Sequence, residues 1–276
     1  MGAVGLVCSF GLLFLPKAFL ICFLDVGQGD GIFMRTPTGR AILMDGGSTS
    51  ERQIGNYVLK SGMHYFGTDK LDYVCLSHCD QDHYSGIEEL LDQKEIPITN
   101  FILPEVSNPD EVYCRLEQKA RNQGATVYHM KKGDQFKVDG ITLCCLSPDG
   151  KCATDKNRGS LVLQVSFGNF DLLLTGDIDQ TVEQQLEWTR KVEILKVAHH
   201  GSASSSGEKF LRKLRPDQAC ISVGKKNSYG LPAEEALKRL RAYCGRIWMT
   251  NEDGAILVET DGKGYKISSF RSKAMR

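Results

Sequence analysis

Short apolar runs, four to seven residues long and bounded by Gly, Asp, Asn or Pro, recur along most of this chain. Runs of this length between turn residues are typical of buried strands. Longer stretches in which apolar residues recur with helical spacing lie between some of them. Dipeptides such as Asp139-Gly140, Asp253-Gly254 and Asp261-Gly262 predict hairpin turns, and therefore antiparallel pairs of strands. The pattern predicts a mixed α/β fold.

The predicted elements fall into two strand-rich halves in which helices follow strands. Strands are predicted at 19–26, 31–35, 41–45, 71–77, 100–103, 135–138, 141–146, 161–167, 170–174, 194–198, 219–223, 246–250, 255–259 and 265–270. Helices are predicted at 53–61, 87–93, 111–123, 182–188, 209–214 and 233–243. Without a Pro-, Ser- or Gly-rich linker, the chain of 276 residues is expected to form one main domain, a four-layer αββα sandwich with mixed sheets.

The charge of the chain is balanced overall but unevenly distributed. Residues 201–276 carry 15 Lys and Arg against 8 Asp and Glu, although the formal net charge is zero. A protein that binds a polyanion with one part and metal cations with another would show this asymmetry. Solvated helix faces produce the same numbers, so the asymmetry permits such a function without indicating it.

The ten cysteines are scattered, and most lie inside apolar runs, where a small buried thiol fits. No zinc-finger spacing is present. We therefore expect free thiols in the core, with disulfides as the alternative.

The first residues form an unusually apolar segment. Residues 2–15 are almost uncharged, but the run is too short to cross a bilayer and Pro16-Lys17 interrupts it. Two interpretations are open: a membrane-adjacent tail over residues 1–18, or an additional core element. The tail is favoured because soluble domains seldom begin with so apolar a segment. This predicts a location at the cell membrane, with residues 19–276 as a domain in the aqueous phase on a side that the sequence does not decide.

The strongest chemical signal is the segment Ser77-His78-Cys79-Asp80-Gln81-Asp82-His83, which follows an apolar strand and precedes a helix. Four side chains that can bind a metal fall within six residues. On a loop their directions can diverge, so that two face one ion and two face another about 3.5–4 Å away. Nitrogen and oxygen ligands without thiolate suit Zn, Mn or Fe.

Two further strands end in candidate ligands. An apolar run ends in Thr175-Gly176-Asp177, and Asp177 can bridge two metals. Asp177 can instead cap the following helix, although Asp179 is an alternative candidate for that role. His199 and His200 follow another apolar strand and precede a glycine. By contrast, His64 and His129 have no such neighbours and are interpreted as structural or surface residues.

The order His-x-Asp-x-Asp-His, then Gly-Asp, then His-His-Gly resembles the metallo-β-lactamase superfamily, whose usual first motif is His-x-His-x-Asp-His. Within it, the chain resembles the C-terminal domain of ComEC-type competence proteins, which take up DNA. The resemblance runs from about Phe19 to the C-terminus. The motifs that carry it are FLDVGQGD at 23–30, MDGG at 44–47, the Asp80 form of the first motif, SLVL at 160–163, LLTGD at 173–177, VAHHGS at 197–202, SVG at 222–224, NSYG at 227–230 and DGAI at 253–256.

The resemblance implies a centre with two metal ions, Zn or Mn. His78 and Asp80 would hold one ion, Asp82 and His83 the other, and Asp177 would bridge them, with His200 or His199 completing the second site. His200 is preferred because it stands directly before glycine. Groups that orient the ligands would be Asp25, Asp30 and Asp45, together with Asn157 and Ser160 in a region where the superfamily usually has a further histidine.

The activity implied is hydrolysis of phosphodiester bonds, with the two ions activating water and Asp82 and Asp177 positioning it. Phosphate contacts that do not depend on base sequence are predicted for basic residues, and polar or stacking contacts for two residues in the same region. These substrate-binding candidates are Arg158, Lys225, Lys226, Asn227 and Tyr229.

By resemblance, the enzyme is a nuclease that degrades DNA during uptake across the membrane, with DNA and membrane channel segments of the same or a partner chain as its partners. Two alternatives stay open. One is a non-catalytic domain that binds DNA or a partner in a transport complex, although unused buried carboxylates would be costly without a cation. The other is a hydrolase of a small phosphodiester or an acyl substrate, because the fold alone decides no substrate.

Overall fold

A computed structural model describes residues 18–150, 155–188 and 190–271 of the chain. The segment predicted as a membrane-adjacent tail lies outside these residues, except for Ala18. Within the described ranges, no helix combines the length and the apolar composition that a membrane crossing requires.

Fifteen strands are present in the described residues. In chain order they are β1 (Phe19–Phe23), β2 (Gly31–Arg35), β3 (Ala41–Gly46), β4 (Leu71–Cys75), β5 (Ile98–Pro104), β6 (Thr126–Met130), β7 (Gln135–Val138), β8 (Ile141–Ser147), β9 (Val162–Phe167), β10 (Phe170–Leu174), β11 (Ile194–Lys196), β12 (Gln218–Ile221), β13 (Arg246–Met249), β14 (Ile256–Thr260) and β15 (Tyr265–Ser269).

These strands form two sheets, each part antiparallel and part parallel. The first sheet has the order β15-β14-β1-β2-β3-β4-β5-β6, and the second has the order β13-β12-β11-β10-β9-β8-β7. In the first sheet β3, β4, β5 and β6 run parallel, and in the second β10, β11, β12 and β13 do. Strand β1 lies between β14 and β2, so that Phe19 pairs with Thr260 and Phe23 with Ile256.

Seven α-helices lie in the described part of the chain. They are α1 (Lys60–Tyr65), α2 (Gln81–Gln93), α3 (Glu111–Gln123), α4 (Gln180–Glu183), α5 (Glu208–Leu214), α6 (Glu234–Tyr243) and α7 (Thr250–Asp253). A π-helical turn, Gly55–Leu59, precedes α1, and a short 3-10 segment, Ala198–Gly201, follows β11.

Three apolar clusters define the layers. Met63, Ile87 and Leu116 pack helices α1 to α3 against the outer face of the first sheet. Between the sheets lies a second cluster that includes Phe23 and Phe170. A third cluster packs α5 and α6 on the second sheet and includes Leu195, Phe210, Leu211 and Leu240. The architecture is therefore the predicted αββα sandwich with mixed sheets.

Several element boundaries differ from those predicted. Strand β6 was not predicted because three of its five residues are exposed and it lacks an apolar run. The helix predicted at 53–61 is the π-helical turn followed by α1, which extends to Tyr65. The helix predicted at 87–93 begins at Gln81, which places Asp82 and His83 in its first turn. The segment predicted as a helix at 182–188 forms only the short α4.

The eight cysteines in the described residues are free. Five of them, Cys22, Cys75, Cys79, Cys145 and Cys220, are buried. The expectation of core thiols is therefore confirmed for this part of the chain.

Candidate metal centre

The polar residues that follow β3, β4, β10 and β11 meet at one edge of the sandwich. Because β4 runs parallel to β3 and β11 runs parallel to β10, the carboxyl ends of each pair lie side by side. Asp30, His83, Asp177 and His200 are all buried, and each offers one ligand atom within 4.8 Å of the others. Both sheets thus contribute to a single cluster of nitrogen and oxygen donors.

Two glycines allow the backbone that carries Asp30 to lie directly on the start of α2. The Asp30 N–H donates to the carbonyl of Asp82, and the Gly47 N–H donates to the carbonyl of Asp30, both at 2.9 Å. A Cβ atom on Gly29 would lie 2.5 Å from the Asp82 carbonyl oxygen, and one on Gly47 would lie 2.5 Å from the His83 nitrogen. Only glycine fits at these contacts, which hold Asp30 close to His83.

Two histidines are oriented by a hydrogen bond on Nδ1. His83 Nδ1 lies 3.0 Å from Asp45 Oδ2, and His200 Nδ1 donates to the carbonyl of Ser222 at 2.9 Å. Their Nε2 atoms point at Asp177 Oδ2, at 3.4 Å and 3.6 Å. A partner on Nδ1 fixes the ring and leaves Nε2 available, which is the usual arrangement of a histidine that binds a metal.

His78 and Asp80 form the other side of the cluster. His78 Nδ1 lies 3.0 Å from Ser77 Oγ and 3.5 Å from Ser160 Oγ, while its Nε2 lies 3.6 Å from Asp80 Oδ2. The centroids of the His78 and His83 rings are 4.1 Å apart. Ser160 Oγ also accepts from the Asp177 N–H at 3.3 Å, so this hydroxyl connects both sides of the cluster.

Two carboxylates of the centre, Asp82 and Asp177, are held in their ionised form. Burial disfavours the charge of Asp82, but the hydrogen bond from His200, at 3.2 Å, and the nearby His83 lower its pKa to about 2. Burial acts in the same way on Asp177, yet His83 and His200 hold its pKa well below the usual range. Ionised oxygens are the form in which carboxylates bind metal ions.

Lys196, the last residue of β11, is a fully buried cation in this cluster. Its ammonium group forms an ion pair with the Asp30 carboxylate, lies 3.3 Å from the Gly176 carbonyl oxygen and is 3.9 Å from Asp177 Oδ1. Burial alone would lower its pKa, but Asp30 and Asp177 raise it overall. Sequence reasoning assigned no role to this residue, although a lysine inside the apolar run Ile194-Leu195-Lys196-Val197 was a signal that could have found it.

Three residues at the centre have backbone angles that non-glycine residues rarely adopt. The φ angles are 54° for Asp45 and 51° for both His199 and His200. Such strain persists where surrounding contacts hold it, and it is concentrated at functional sites. His200 lies within the cluster, whereas His199 is one-third exposed at its rim, with Nε2 3.9 Å from Asp177 Oδ2.

Four buried atoms of the cluster have no hydrogen-bond partner in the structure. They are Asp30 Oδ1, His78 Nε2, His83 Nε2 and Asp177 Oδ1. Buried polar atoms are normally satisfied, and leaving several unsatisfied at one point would cost several kcal/mol. A divalent cation held by His83 and Asp177, whose ligand atoms lie within 4.8 Å of each other, would give the buried His83 nitrogen a partner. The donor set of imidazole nitrogens and carboxylate oxygens therefore fits a metal such as Zn or Mn.

Other residues predicted to orient the ligands or to cap a helix have mixed positions. Asn157 lies beside the cluster, where its carbonyl accepts from the Ser160 N–H at 3.0 Å. Asp25 instead lies 3.6 Å from Arg271 and is partly exposed. Asp179, not Asp177, caps α4, because its side chain accepts from the N–H groups of residues 181 and 182.

The predicted substrate-binding residues also differ in their surroundings. Arg158 donates to Asp179 at 2.8 Å. The Asn227 side chain bonds to Gly224 and Leu231 and so stabilises its own loop. The remaining three, Lys225, Lys226 and Tyr229, are exposed on that loop. The loop reaches the centre from the side of Gln28, whose Oε1 accepts from the Gly224 N–H at 3.2 Å.

A second lysine that sequence reasoning missed lies at the mouth of the centre. Lys156 Nζ is 3.4 Å from Asp80 Oδ1 and 2.7 Å from Asp110 Oδ2. It lines a cavity of about 200 Å³ that also contacts His78 and Tyr113. The cavity provides space for part of a substrate beside the cluster.

Comparison with known proteins agrees with this geometry. A family model described as the metallo-beta-lactamase superfamily matches residues 24–225. The chain belongs to the metallo-beta-lactamase superfamily. Of solved structures, the metallo-beta-lactamase fold protein YhfI from Bacillus subtilis has a TM-score of 0.56 and 12% sequence identity, with 83% of this chain and 96% of that chain covered. This likeness shows the fold.

Among curated relatives of this superfamily member, ComE operon protein 3 from Bacillus subtilis (strain 168) is 34% identical over an alignment of 251 residues that covers 84% of this chain and 32% of that protein. Competence protein ComA from Neisseria gonorrhoeae is 30% identical over an alignment of 251 residues that covers 90% of this chain and 33% of that protein. The chain spans about a third of the length of these relatives. The resemblance to ComEC-type competence proteins is therefore confirmed.

Family and geometry together support a hydrolase that depends on divalent metal ions.

Proposed function

We propose that this chain is a metal-dependent phosphodiesterase that cleaves DNA during uptake at the cell membrane. The observation that carries the proposal is the group of buried ligand atoms on Asp30, His83, Asp177 and His200, which lie within 4.8 Å of one another and include atoms without a hydrogen-bond partner. Bound cations would compensate the buried carboxylates of such a cluster and give the unpartnered atoms a partner. Sites of this composition are typical of enzymes that hydrolyse phosphate esters.

Two groups of residues would hold the ions. His78 and Asp80 would hold one ion, while Asp82, His83 and His200 would hold the other. The bound ions would supply activation of water and neutralisation of the charge that develops on the phosphoryl group. Asp45 and the Ser222 carbonyl keep the rings of His83 and His200 in the orientation that binding requires.

Asp82 and Asp177 differ in access to solvent, which suggests different tasks. The Asp177 side chain is only 4% exposed, whereas the Asp82 side chain is 20% exposed. We assign to Asp177 the bridging position. Asp82, at the mouth, would accept a hydrogen bond from the attacking water and orient it toward the phosphorus.

Nucleic acid is the favoured substrate because curated relatives include proteins named for competence. Exposed Lys225 and Lys226 lie on the loop that contacts Gln28 beside the centre, and their charges suit phosphate groups regardless of base sequence. Tyr229 on the same loop is exposed and available to stack on a base. DNA and membrane channel segments of the same or a partner chain are the proposed partners.

The proposal is tested with the full chain, stripped of metal and then supplied with Mn(II), Zn(II) or chelator. Single- and double-stranded DNA are the substrates, and metal content is measured in parallel. We compare Asp177→Asn with Asp179→Asn, an aspartate two residues away that caps α4. Metal-dependent cleavage should fall by at least about 10³-fold in Asp177→Asn and change little in Asp179→Asn.

Other outcomes would reject parts of the proposal. Bound metal without cleavage of DNA would indicate a small phosphodiester or acyl substrate. A folded wild-type chain that binds no metal would favour a non-catalytic domain that binds DNA or a partner.

A further inference from the structure

The Lys196 ammonium group is an unusual member of a metal centre, because it brings a fixed positive charge to the carboxylates that a metal cation would bind. It is 1% exposed, and it contacts Asp30 and the Gly176 carbonyl oxygen. Nothing in hydrolysis by the proposed residues requires it. A buried lysine is retained only where partners compensate its charge, so its position calls for an explanation.

Asp30 can be understood in two ways. It belongs to the four residues whose ligand atoms lie within 4.8 Å of one another, which is compatible with a metal ligand. However, its Oδ2 atom already pairs with Lys196 and lies 3.7 Å from His83 Nδ1, the nitrogen that faces away from Asp177. By contrast, His83 and His200 direct their Nε2 atoms at Asp177 Oδ2. Asp30 therefore lies behind His83, on the side of Lys196.

We propose that Lys196 is a built-in cation of the metal centre. Its ammonium group pairs with Asp30 and, in the absence of metal, compensates the negative charge of the neighbouring Asp177. The carboxylates of the centre therefore stay assembled before ions bind. Lys196 is thus a positioning residue and Asp30 is its partner. Lys196 and the metal ions are attracted to the same carboxylate, that of Asp177. Lys196 therefore also limits the affinity of the centre for metal. The inference rests on the metal centre of the proposed function but not on its substrate.

The fixed charges give opposite expectations for single variants of the pair. Lys196→Met removes the ammonium group but retains most of the side-chain volume, which leaves Asp30 and Asp177 without their resident cation. Lys196→Met should therefore be less stable than the wild type without metal. When metal binds to this variant, it should compensate more of the negative charge of the carboxylates than it does in the wild type. Asp30→Asn leaves the lysine without its main partner, so that its charge repels incoming metal.

The test is a double-mutant cycle on the full chain, read out by Mn(II) binding in titration calorimetry and by thermal unfolding with chelator or Mn(II). Lys196→Met is expected to bind Mn(II) about tenfold more tightly than the wild type, and Asp30→Asn about tenfold more weakly. The double variant, in which both charges are removed, should return close to the wild-type affinity. Lys196→Arg, which retains the charge, should not gain affinity.

Thermal unfolding separates this role from simple packing. The rise in Tm caused by Mn(II) should be larger in Lys196→Met than in the wild type, while its metal-free Tm is lower. Leu211→Ala, a large-to-small change in the third cluster, is the control. It should lower the Tm of both forms and leave the metal-induced rise unchanged.

The possible results discriminate between the alternatives. Loss of affinity in both Asp30→Asn and the double variant would identify Asp30 as a metal ligand and overturn the inference. Lys196→Met with wild-type or weaker Mn(II) affinity would also overturn it. If Lys196→Met alone fails to fold, the recovery of folding and affinity in the double variant still tests the pairing. A wild-type chain that binds no Mn(II) would instead refute the metal centre on which the proposed function depends.

Discussion

Asp45 determines the orientation and protonation of His83. Its Oδ2 lies 3.0 Å from His83 Nδ1, and its Oδ1 accepts from the Ser77 N–H at 2.7 Å. A carboxylate at this position keeps the proton on Nδ1 and leaves Nε2 free to bind metal. An amide would present an N–H to Nδ1 and favour the tautomer that carries its proton on Nε2.

Asp45→Asn should therefore weaken Mn(II) binding by about 10- to 100-fold. Asparagine tolerates the left-handed backbone at this position, so the substitution adds little strain. Titration calorimetry measures the effect. Asp72→Asn is the control, because Asp72 also accepts a backbone N–H from a neighbouring strand, that of Ala41, but lies outside the cluster. Equal affinities of Asp45→Asn and wild type would show that His83 needs no partner.

At the level of single residues, the sequence predicted the candidate ligands that lie together in a short local motif. His78, Asp80, Asp82 and His83 were found because a strand, a polar loop and a helix follow each other along the chain. Lys196 was missed because its partner Asp30 lies 166 residues away, and only the fold brings the two together. Asp25 was predicted to orient the ligands because its motif resembles that of the family. Its carboxylate lies near Arg271 instead, a contact that only the fold reveals.

Helix α5 begins against a carboxylate supplied by another element. Glu183, the last residue of α4, accepts from the N–H groups of Ser206 and Gly207, directly before α5. Burial raises the pKa of Glu183 from 4.5 to about 7, while these N–H groups act in the opposite direction. The folded protein therefore binds this proton more tightly than the unfolded chain does.

A raised pKa in the folded state means that stability is lost as pH rises from about 4.5 to about 7. The loss attributable to Glu183 is about 3 kcal/mol. Glu183→Gln, which does not ionise, should lose this part of the pH dependence. Urea unfolding with chelator at pH 5 and pH 8 measures it, with the exposed Glu187→Gln as control. A parallel pH dependence in wild type and Glu183→Gln would disprove the assignment.

At the level of elements, apolar periodicity predicted most strands. It did not predict a strand whose conformation depends on pairing with its neighbour rather than on buried apolar residues. Strand β6 is an edge strand that pairs only with β5, and exposed Tyr128 and His129 interrupt any apolar run. The start of α2 was predicted six residues late because its first turn is made of polar site residues. Their helical conformation is stabilised by the close packing of Gly29 and Gly47 on that turn.

Across the whole molecule, the metal centre joins the two sheets. Asp45 lies at the end of β3 and His78 and His83 follow β4 in the first sheet, whereas Asp177 and His200 follow strands of the second. An ion bound to both groups links the two halves of the sandwich. Metal should therefore stabilise the entire fold and not only the loops that surround it.

We expect Mn(II) at 100 times its Kd to raise the free energy of unfolding by about 2.7 kcal/mol relative to chelator. Phe170→Ala, in the cluster between the sheets, should cost about 3–5 kcal/mol in both conditions. Because Phe170 lies at the end of β10 remote from Asp177, the metal contribution should be unchanged in this variant. Denaturant unfolding checks both values, and absence of any metal effect would contradict a centre that links the sheets.

The position of β1 between β14 and β2 has a consequence for how the protein is made. As a ribosome synthesises the chain, residues 19–23 emerge before their partner in β14, which follows more than 230 residues later. Until then β1 presents an open edge of apolar residues, which is the kind of surface that pairs with other chains or recruits chaperones. The open edge of β1 is therefore covered only when residues 256–260 are available, and this pairing determines when that edge of the newly synthesised protein is protected from aggregation.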